Sequence, residues 1–390
     1  MREKWKKTMK PVGISLLVAV GLLGLDYAAS NSKYRLFENE RMGMFYRLER
    51  WTNSWREHDE CKGALFVDVS NAKHVVSLGG TATSPQREVI TDPQVILEFL
   101  QKVDTLPYAF LFLDIQFQRD SLTPWDTLLA DKLLHMHDIA IAKNEEETPF
   151  IDASLRNIAF ATCYTLKPYD NRCRYYEIEQ EEGESVAWEM YRHTIRSHTG
   201  HIHKLWHWSS LYCEDKTPIT NYLPLTFHMN SDIYPYQYNI EALLKNSNIW
   251  NRFKDICAAR KSHIIVGDFK NDTHCSYIGM QNGPMNHWLA FQALCKRKHH
   301  WLGWYLIIPL LTYFLFALLI MRGHSRNTAT RIKQPALRLL LSLVNFGTLT
   351  ALMTAIIYVA FDRIYSFALP AMVFTLWSNW WQVRHEKKNE

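Results

Sequence analysis

The sequence lacks the short motifs that mark the common enzyme classes. It contains no glycine-rich phosphate loop, no HExxH zinc pair, no G-x-S-x-G nucleophile elbow and no G-x-G-x-x-G turn after a strand. It also lacks low-complexity tracts, which excludes a long disordered spacer. We therefore predict a folded protein that is not an enzyme, with no catalytic residues, no cofactor and no metal.

Cysteine is missing from both ends of the chain. All seven cysteines lie between Cys61 and Cys295, in the polar middle of the sequence. This distribution is typical of a domain in an oxidising compartment. Because seven is an odd number, at least one cysteine is free or pairs with another chain.

Four apolar runs lie near the two ends of the chain. Pro11–Leu25 follows a basic start, and about ninety C-terminal residues hold Trp301–Met321, Leu337–Phe361 and Ile364–Val383. Each C-terminal run is about long enough to cross a hydrocarbon core of roughly 30 Å as a helix. None of these three runs contains Asp or Glu, which argues against a proton-coupled transporter.

Basic residues predict how these spans are oriented. The first ten residues carry a net charge of +4 and the segment 322–338 carries +5, whereas the polar middle is net negative. Since Lys and Arg beside spans stay in the cytoplasm, we expect both termini there and the polar middle outside. Lys296, Arg297 and Lys298 disagree, but charges at the end of a long translocated domain weigh little.

These features divide the chain into four parts. We expect a basic start with a transmembrane anchor at 1–29, an extracytoplasmic domain at 30–300, a three-helix transmembrane cluster at 301–383 and a cytoplasmic tail at 384–390. The first apolar run is also short enough for a signal peptide, so its cleavage stays open. The predicted location is the inner cell membrane.

The polar middle alternates between strand and helix patterns. Short apolar runs typical of buried strands occur at 64–69, 108–117, 138–142 and 262–268. Helical patterns begin at Thr91-Asp92-Pro93 and continue at 125–137, 185–198, 239–256 and 284–296. This alternation predicts an α/β fold with a mostly parallel sheet.

A turn-rich sequence at 167–171 separates two further strand-like segments, 158–166 and 173–179. Together they predict an antiparallel hairpin. Cys163 and Cys173 lie on its two arms, where they either form a cross-strand disulfide or stay as two buried thiols.

Two aspartates end buried strands and are candidate ligand-binding residues. Ligands of open parallel sheets bind at the carboxyl ends of the strands. Asp68 and Asp114 occupy such positions, and with Ser70 and Asn71 they predict a polar site for a cation or small polar ligand. The alternative is that each aspartate caps a turn or accepts hydrogen bonds from loop backbone.

Histidines cluster between residues 193 and 207. His201 and His203 share one face of an extended chain, and with Cys213 they have the donor atoms that zinc accepts. Tryptophans interleave with them, however, and no carboxylate stands at a fixed spacing. A solvated aromatic and polar surface is the interpretation we prefer, so no metal ligands are assigned.

The order and spacing of these segments resembles the CHASE2 family of extracytoplasmic sensor domains. The matching segments are ALFVDVS (64–70), the helix at 92–104, YAFLFLDIQF (108–117), PWDTLLADKLLHMHDIAIAKN (124–144), IAFATCYTLKPYDNRCRYYEI (158–178), KSHIIVGDF (261–269) and PMNHWLAFQAL (284–294). The resemblance implies a sensor domain followed by three transmembrane helices. In that family a cyclase or kinase usually follows the last span.

This chain departs from that family in three places. It ends seven residues after Val383, so we expect a stand-alone form without a cytoplasmic effector. The helix start after Thr91 lacks the family's aromatic and basic residues. The glycine-rich stretch after the late strand is reduced to Gly279, Gly283 and their neighbours. The family's ligand site is therefore not transferred to this chain.

We predict an integral membrane sensor whose exported domain binds a ligand or an envelope partner and relays to another protein. Its expected partners are the lipid bilayer, a protein that carries the output and a small ligand of unknown identity. No nucleic acid is expected, because the pI of about 8.7 comes from the membrane flanks. The alternative is a structural subunit of a cell-envelope complex that senses nothing.

Overall fold

A computed structural model gives the fold of the chain. It describes residues 2–30, 63–81, 84–115, 117, 123–143, 159–162, 172–173, 175–180, 183–195, 203–204, 211–212, 218–219, 222–224, 236–276, 279–297, 299–300, 303–322, 334–361 and 368–389.

The strands within these residues are short. In chain order they are β1 (Ala64–Asp68), β2 (Lys73–Thr81), β3 (Ser84–Thr91), β4 (Phe110–Asp114), β5 (Ile139–Lys143), β6 (Ala159–Thr162), β7 (Arg172–Cys173), β8 (Tyr175–Glu177), β9 (Glu179–Gln180), β10 (Gly183–Glu184), β11 (His203–Lys204), β12 (Leu211–Tyr212), β13 (Pro218–Ile219), β14 (Tyr222–Pro224), β15 (Gln237–Asn239), β16 (His263–Gly267), β17 (Thr273–Ser276) and β18 (Gly279–Asn282).

The helices fall into a central group and two terminal groups. In chain order they are α1 (Arg2–Ser30), α2 (Pro93–Val103), α3 (Pro124–His135), α4 (Val186–Ile195), α5 (Ile240–Lys245), α6 (Ser247–Arg260), α7 (Gly283–Cys295), α8 (Ile307–Met321), α9 (Pro335–Phe361) and α10 (Ala368–Asn389). A short 3₁₀ turn, Trp304–Leu306, leads into α8.

A six-stranded sheet forms the centre of the domain. Its order is β15-β1-β16-β4-β5-β6, and every neighbouring pair within it is parallel. The predicted α/β fold with a mostly parallel sheet is therefore confirmed. Strand β16, the last of the six in the chain, lies between β1 and β4.

Alternating side chains give the sheet two apolar faces, as the period of two in a strand requires. Phe66, Phe112 and Ile265 point to the face covered by α4 and α7. Their neighbours Leu65, Leu111 and Ile264 point to the face covered by α2, α3, α5 and α6. The domain thus has three layers, with helices on both sides of the sheet.

Helix starts follow local chemistry. The Asp92 side chain accepts a hydrogen bond from the Gln94 backbone N–H, and Pro93 occupies the first turn of α2. Thr123 and Asp126 form a capping box at the start of α3. The predicted single helix at 239–256 is instead two helices, α5 and α6. Asn246 separates them because its side chain accepts two backbone N–H groups of α6.

An antiparallel hairpin is present, but not where the sequence pattern places it. Strands β2 and β3 form it, with Val75 opposite Val89. The first arm of the predicted hairpin contains β6, which pairs parallel with β5. In the described part of the second arm, β7 pairs with β17 and β8 pairs with β14. The prediction of mutual pairing at 158–179 was therefore wrong for these residues.

Four helices from the two ends of the chain pack together. We call α1, α8, α9 and α10 the helix cluster; α1 packs on α8, and α10 packs on α8 and α9. Their shared core contains Ala19, Tyr313, Phe346 and Phe374. By length and composition alone, Met9–Ala28 and Leu339–Tyr358 are apolar enough to cross a membrane, and Ile307–Met321 is a shorter apolar helix.

The surface of the helix cluster is apolar. Among the described residues, the exposed large apolar side chains of the domain are Val75, Val89, Trp125, Leu128, Leu134 and Met280. All the others lie on the helix cluster, for example at Ile307, Leu311, Leu315 and Leu319, which recur every four residues along α8. One continuous face of that helix is therefore apolar and exposed.

Candidate functional site

The carboxyl ends of three neighbouring strands carry the predicted site residues. In the sheet register, Asp68 of β1 lies beside Gly267 of β16, and Gly267 lies beside Asp114 of β4. Two strand spacings place the Cα atoms of the two aspartates roughly 10 Å apart. Both aspartates are therefore at one edge of the sheet, as predicted, but one strand separates them.

Helix α7 fills the space above that intervening strand. A Cβ atom added at Gly267 would lie 2.5 Å from Pro284 Cγ and 3.2 Å from Asp114 Cβ. Glycine is therefore required here because the first turn of α7 sits directly on the strand end. The wedge formed by Gly267 and Pro284 divides the predicted site into two polar clusters.

The first cluster surrounds two aspartates, Asp68 and Asp268. Asp68 Oδ1 accepts hydrogen bonds from the backbone N–H of Ser70 at 3.0 Å and of Phe269 at 3.3 Å, and also from the Ser70 hydroxyl. The Ser70 hydroxyl also lies 2.8 Å from Asp268 Oδ1. Asp68 thus joins the loops that follow β1 and β16, which matches the loop-capping alternative.

Asp268 is surrounded by donors. Its carboxylate accepts hydrogen bonds from the Asn271 backbone at 2.8 Å and side chain at 2.9 Å, and from Lys73 Nζ at 2.9 Å. Burial raises the pKa of Asp268, but the hydrogen bonds from Asn271, Lys73 and Ser70 outweigh it and hold that pKa well below its usual range. The carboxylate is therefore an anion at every physiological pH.

The second cluster is a buried chain of Asp114, His287 and Tyr176. His287 Nε2 lies 3.6 Å from Asp114 Oδ2, and His287 Nδ1 lies 2.7 Å from the Tyr176 hydroxyl. The backbone N–H of Ala187 points at the same hydroxyl oxygen from 3.4 Å. We infer that the Tyr176 hydroxyl donates its proton to Nδ1, which leaves the imidazole proton on Nε2, facing Asp114.

Burial controls the charge of His287. The side chain is 1% exposed, between Phe112 of β4 and Tyr176 of β8. Burial lowers the pKa of His287 to about 3; the nearby Asp272 carboxylate raises this pKa, and His274 lowers it further. The imidazole is therefore neutral near pH 7 and both its nitrogens face polar partners.

The structure brings together some of the predicted site residues and separates others. Asp68 and Ser70 are in direct contact, whereas Asp114 belongs to the second cluster. Asn71 is exposed, and its backbone carbonyl accepts the Lys73 N–H in a turn. The predicted four-residue site is thus two clusters with an exposed turn beside the first.

Sequence reasoning missed three side chains of these clusters. Asp268 follows a predicted buried strand, so the rule that identified Asp68 and Asp114 would also have found it. His287 and Tyr176 carried no such signal. One lies within an apolar helix and the other on a short strand, and only the packing of α7 brings them to Asp114.

Other sequence-based candidates lie largely outside the described residues. Cys163 is outside them, and Cys173 is described only as the end of β7, so their disulfide stays a prediction. His201 and Cys213 are also outside them, and His203 is described only as part of β11. In the described parts of the chain, no three His, Cys, Asp or Glu side chains are grouped to hold a metal ion.

Helix α7 connects the polar edge of the sheet to its opposite edge. Its first turn lies on Gly267, at the carboxyl end of β16, and the Phe291 ring packs 4.6 Å from the ring of His263, at the amino end of the same strand. The chain then continues through His299 and His300 into α8. The polar clusters are therefore at the end of the domain that is farther from the start of α8.

Comparison of the chain with protein-family models, curated proteins and solved structures gives no match.

Proposed function

We propose that this chain is a membrane-bound sensor whose exported α/β domain binds a ligand or envelope partner at the carboxyl edge of its sheet. Helix α7 would relay the binding event to the helix cluster, and another protein would carry the output. The observation that supports this most directly is the course of α7. One end rests on the polar edge of the sheet, and the other leads into α8.

The side-chain distribution of the helix cluster supports a lipid environment. Leucines face outward, while Ser342, Thr350, Thr354 and Thr375 are buried between the helices. Two of these hydroxyls donate to carbonyls one turn back: Thr350 to Phe346 O at 2.7 Å and Thr354 to Thr350 O at 2.9 Å. Small hydroxyl residues inside and leucine outside is the pattern expected of helices in a bilayer.

The junction between domain and helix cluster supports the relay. The Tyr27 hydroxyl of α1 donates to Ile219 O at 3.3 Å, and Ile219 pairs with His300 in an antiparallel bridge. The Tyr305 hydroxyl, beside α8, donates to His300 O at 2.7 Å. A displacement at the end of α7 would therefore move His300, and through its contacts would move α1 and α8 as well.

The polar edge supports ligand binding by its chemistry. It combines an anionic Asp268, a lysine on Asp268 and the exposed turn at Asn71 on one side. On the other side of the Gly267–Pro284 wedge is the Asp114–His287 pair. A ligand or partner that contacts both sides would also contact the first turn of α7. Binding could then displace α7 and, through it, the helix cluster.

Topology is the first test of this proposal. We would place single cysteines at Val75 of β2, which is 57% exposed, and at Thr328 between α8 and α9. A membrane-impermeant thiol reagent should label V75C above wild type in intact spheroplasts, and T328C only after lysis. Labelling of T328C in intact cells, with V75C protected, would reverse the orientation and refute an exported domain.

Ligand screening of the full chain in nanodiscs is the second test. Amines, amino acids, sugars and divalent cations would be screened by thermal shift, because a bound ligand stabilises the native state. The expected result is a hit that Asp114→Asn weakens and His135→Gln, on the exposed side of α3, does not. A stoichiometric protein partner that binds without any ligand would instead favour the structural-subunit function.

A further inference from the structure

Three buried histidines lie along the path of α7. His287 is in its second turn, His263 packs beneath its middle, and His299 follows its end. Their exposed fractions are 1%, 6% and 0%, respectively. Histidine is the side chain whose charge changes between pH 5 and 8. The helix that links the polar edge to the helix cluster is therefore lined by groups that acid can charge.

Protonation of His287 would disturb its contacts on both sides. In the neutral ring as inferred above, Nδ1 accepts the Tyr176 hydroxyl proton, while the same oxygen accepts the Ala187 N–H. A protonated Nδ1 must donate instead, so the Tyr176 hydroxyl has to turn and find another acceptor. The Phe112 ring covers the imidazole at 5.0 Å between centroids and offers it no acceptor.

The charged and titratable groups around His287 have opposite effects on its pKa. Asp114 on β4 lies 3.6 Å from Nε2, and Asp272 in the loop before β17 also favours a charged ring. His274 of β17 lowers the pKa of His287, and its own Nε2 lies 2.9 Å from Asp272 Oδ1. Burial outweighs the effect of the Asp272 carboxylate on the pKa of His287, so the folded state keeps the imidazole neutral.

His263 occupies a similar position on the same helix. Its ring lies 4.6 Å from the Phe291 ring and 5.5 Å from the Trp288 ring, both of α7. Its Nε2 lies 2.7 Å from the Thr194 hydroxyl of α4. Burial lowers the pKa of His263 to about 4, although the Gly63 carbonyl opposes this shift. A proton on this ring would place a charge among the aromatic side chains that hold α7 to the sheet.

The third histidine marks where the helix leaves the domain. The His299 ring lies 5.5 Å from the Trp188 ring and 5.2 Å from the Tyr191 ring, both of α4. The neighbouring His300 ring is 4.3 Å away. The His299 ring is thus enclosed by three other rings at the point where the chain leaves the domain.

We propose that α7 is an acid-responsive element, released from the sheet when protons bind His287 and His263. Release exposes both imidazoles to water, which solvates their new charge. The first turn would leave Gly267 and uncover the strand ends between Asp68 and Asp114. Transmission of this release to the helix cluster rests on the function proposed above, whereas the release itself does not.

Hydrogen exchange on the full chain in nanodiscs tests this inference. Protection of residues 283–295, corrected for the intrinsic pH dependence of exchange, would be measured from pH 7.5 to pH 5. The opening equilibrium constant should rise by up to about tenfold per pH unit for each histidine once the pH falls below about 6.5. A variant carrying His287→Gln and His263→Gln should keep its protection, because glutamine forms hydrogen bonds without titrating.

Two further variants complete the experiment. His135→Gln alters a side chain that is 73% exposed on α3, so it should leave the acid response as in wild type. Tyr176→Phe removes the hydrogen bond that the closed state makes with the neutral His287 ring, so it should move the midpoint of release to higher pH.

Protection of α7 that does not change between pH 7.5 and pH 5 would overturn the inference. So would an acid response that persists in the double glutamine variant, or a midpoint that Tyr176→Phe does not move. If α7 responds but exchange in 307–321 stays constant, the acid element stands and the relay in the proposed function fails.

Discussion

The domain and the helix cluster obey opposite rules at their surfaces. In the domain, leucine, valine and phenylalanine of β1, β4 and β16 are buried, and helix residues such as Glu98, Lys102 and Lys245 are exposed. In the helix cluster, most of the exposed large apolar side chains are leucines, while Ser342, Thr350, Thr354 and Thr375 are buried between helices. The two parts of the chain thus bury opposite kinds of side chain. This contrast is explained if water surrounds the domain and lipid surrounds the helix cluster.

One glycine in each part has a different amount of space around it. Gly267 of the domain has no room for a methyl group, because Pro284 and Asp114 are too close. Gly347 of α9 has no heavy atom within 4 Å of an added Cβ. The domain interior is therefore filled at the sheet–helix contact, whereas this face of α9 is open.

The largest effect is expected from the core of the domain. Phe66→Ala removes a ring that is fully buried and lies 5.6 Å from Phe269 and 6.4 Å from Trp288. Truncating such a ring costs about 3–5 kcal/mol of unfolding free energy. Thermal unfolding of the full chain would measure this. Val75→Ala, on the exposed hairpin, is the control, and it should change stability by less than about 0.5 kcal/mol.

A charge on the apolar face of α8 tests directly whether the helix cluster and the domain have different surroundings. Leu315 and Leu128 are almost equally exposed, at 53% and 52%. If α8 spans a bilayer, Leu315→Lys should disfavour insertion by about 2.5–3.5 kcal/mol, while Leu128→Lys faces water and should be nearly neutral. Carbonate-resistant membrane content reports the difference. Equal behaviour of the two variants would mean that α8 is not in lipid.

Acid should destabilise the domain before the helix cluster. The folded-state pKa of His263 is lowered to about 4 by burial, against an ordinary value of 6.5. The unfolded state therefore binds the proton more tightly, so stability is full above pH 6.5 and falls as the pH drops towards 4. At pH 5 this one group removes about 2 kcal/mol.

Calorimetry of the full chain between pH 7.5 and pH 5 measures this loss. The transition of the domain should move to lower temperature, while the far-ultraviolet helix signal of the helix cluster persists. His263→Gln should remove about half of the pH dependence, because the buried His287 also titrates with a lowered pKa. A slope equal to that of wild type would contradict the assignment to His263.

The smallest effect is expected from a pair of glycine substitutions. Gly267→Ala forces Pro284 and the first turn of α7 away from the strand end, which should destabilise the domain by about 1–3 kcal/mol. Gly347→Ala meets open space in a helix and should be neutral or stabilising by up to about 1 kcal/mol. Thermal shifts of opposite sign would support the contrast in packing, and two equal destabilisations would argue against it.

Sequence reasoning succeeded where the determinant is local. The apolar run ending in Asp68 and the run ending in Asp114 were assigned as strands, and the structure places β1 and β4 within them. The start of α2 was assigned from Asp92 and Pro93, whose capping geometry is a property of three consecutive residues. Burial of a continuous apolar segment and capping of a helix need no knowledge of distant residues.

Sequence reasoning failed to predict which strands pair with each other. The pattern of β6 fits an edge strand of a parallel sheet as well as the arm of a hairpin, and only the position of β5 decides between them. The hairpin of β2 and β3 was missed because glycines at 79 and 80 weaken its strand pattern. Pairing depends on neighbours that are far away in sequence, so composition does not reveal it.

The candidate site shows the same division. Strand ends identified Asp68 and Asp114 from local pattern, but the distance between them depends on β16, which lies almost 150 residues after β4. That insertion also brings Asp268 to Ser70 and seats Pro284 on Gly267. Two separate clusters replace one predicted site because strand order, and not strand identity, sets the spacing.

The order of apolar runs, the alternation of strands and helices and the aspartates at strand ends were already determined by the sequence, because each depends on a few consecutive residues. Tertiary structure alone decided that β16 enters the middle of the sheet, that His287 meets Tyr176 and Asp114, and that α7 joins the polar edge to α8. The physical reason is that these contacts are selected by the packing of a whole core, in which every element competes for the same buried surface.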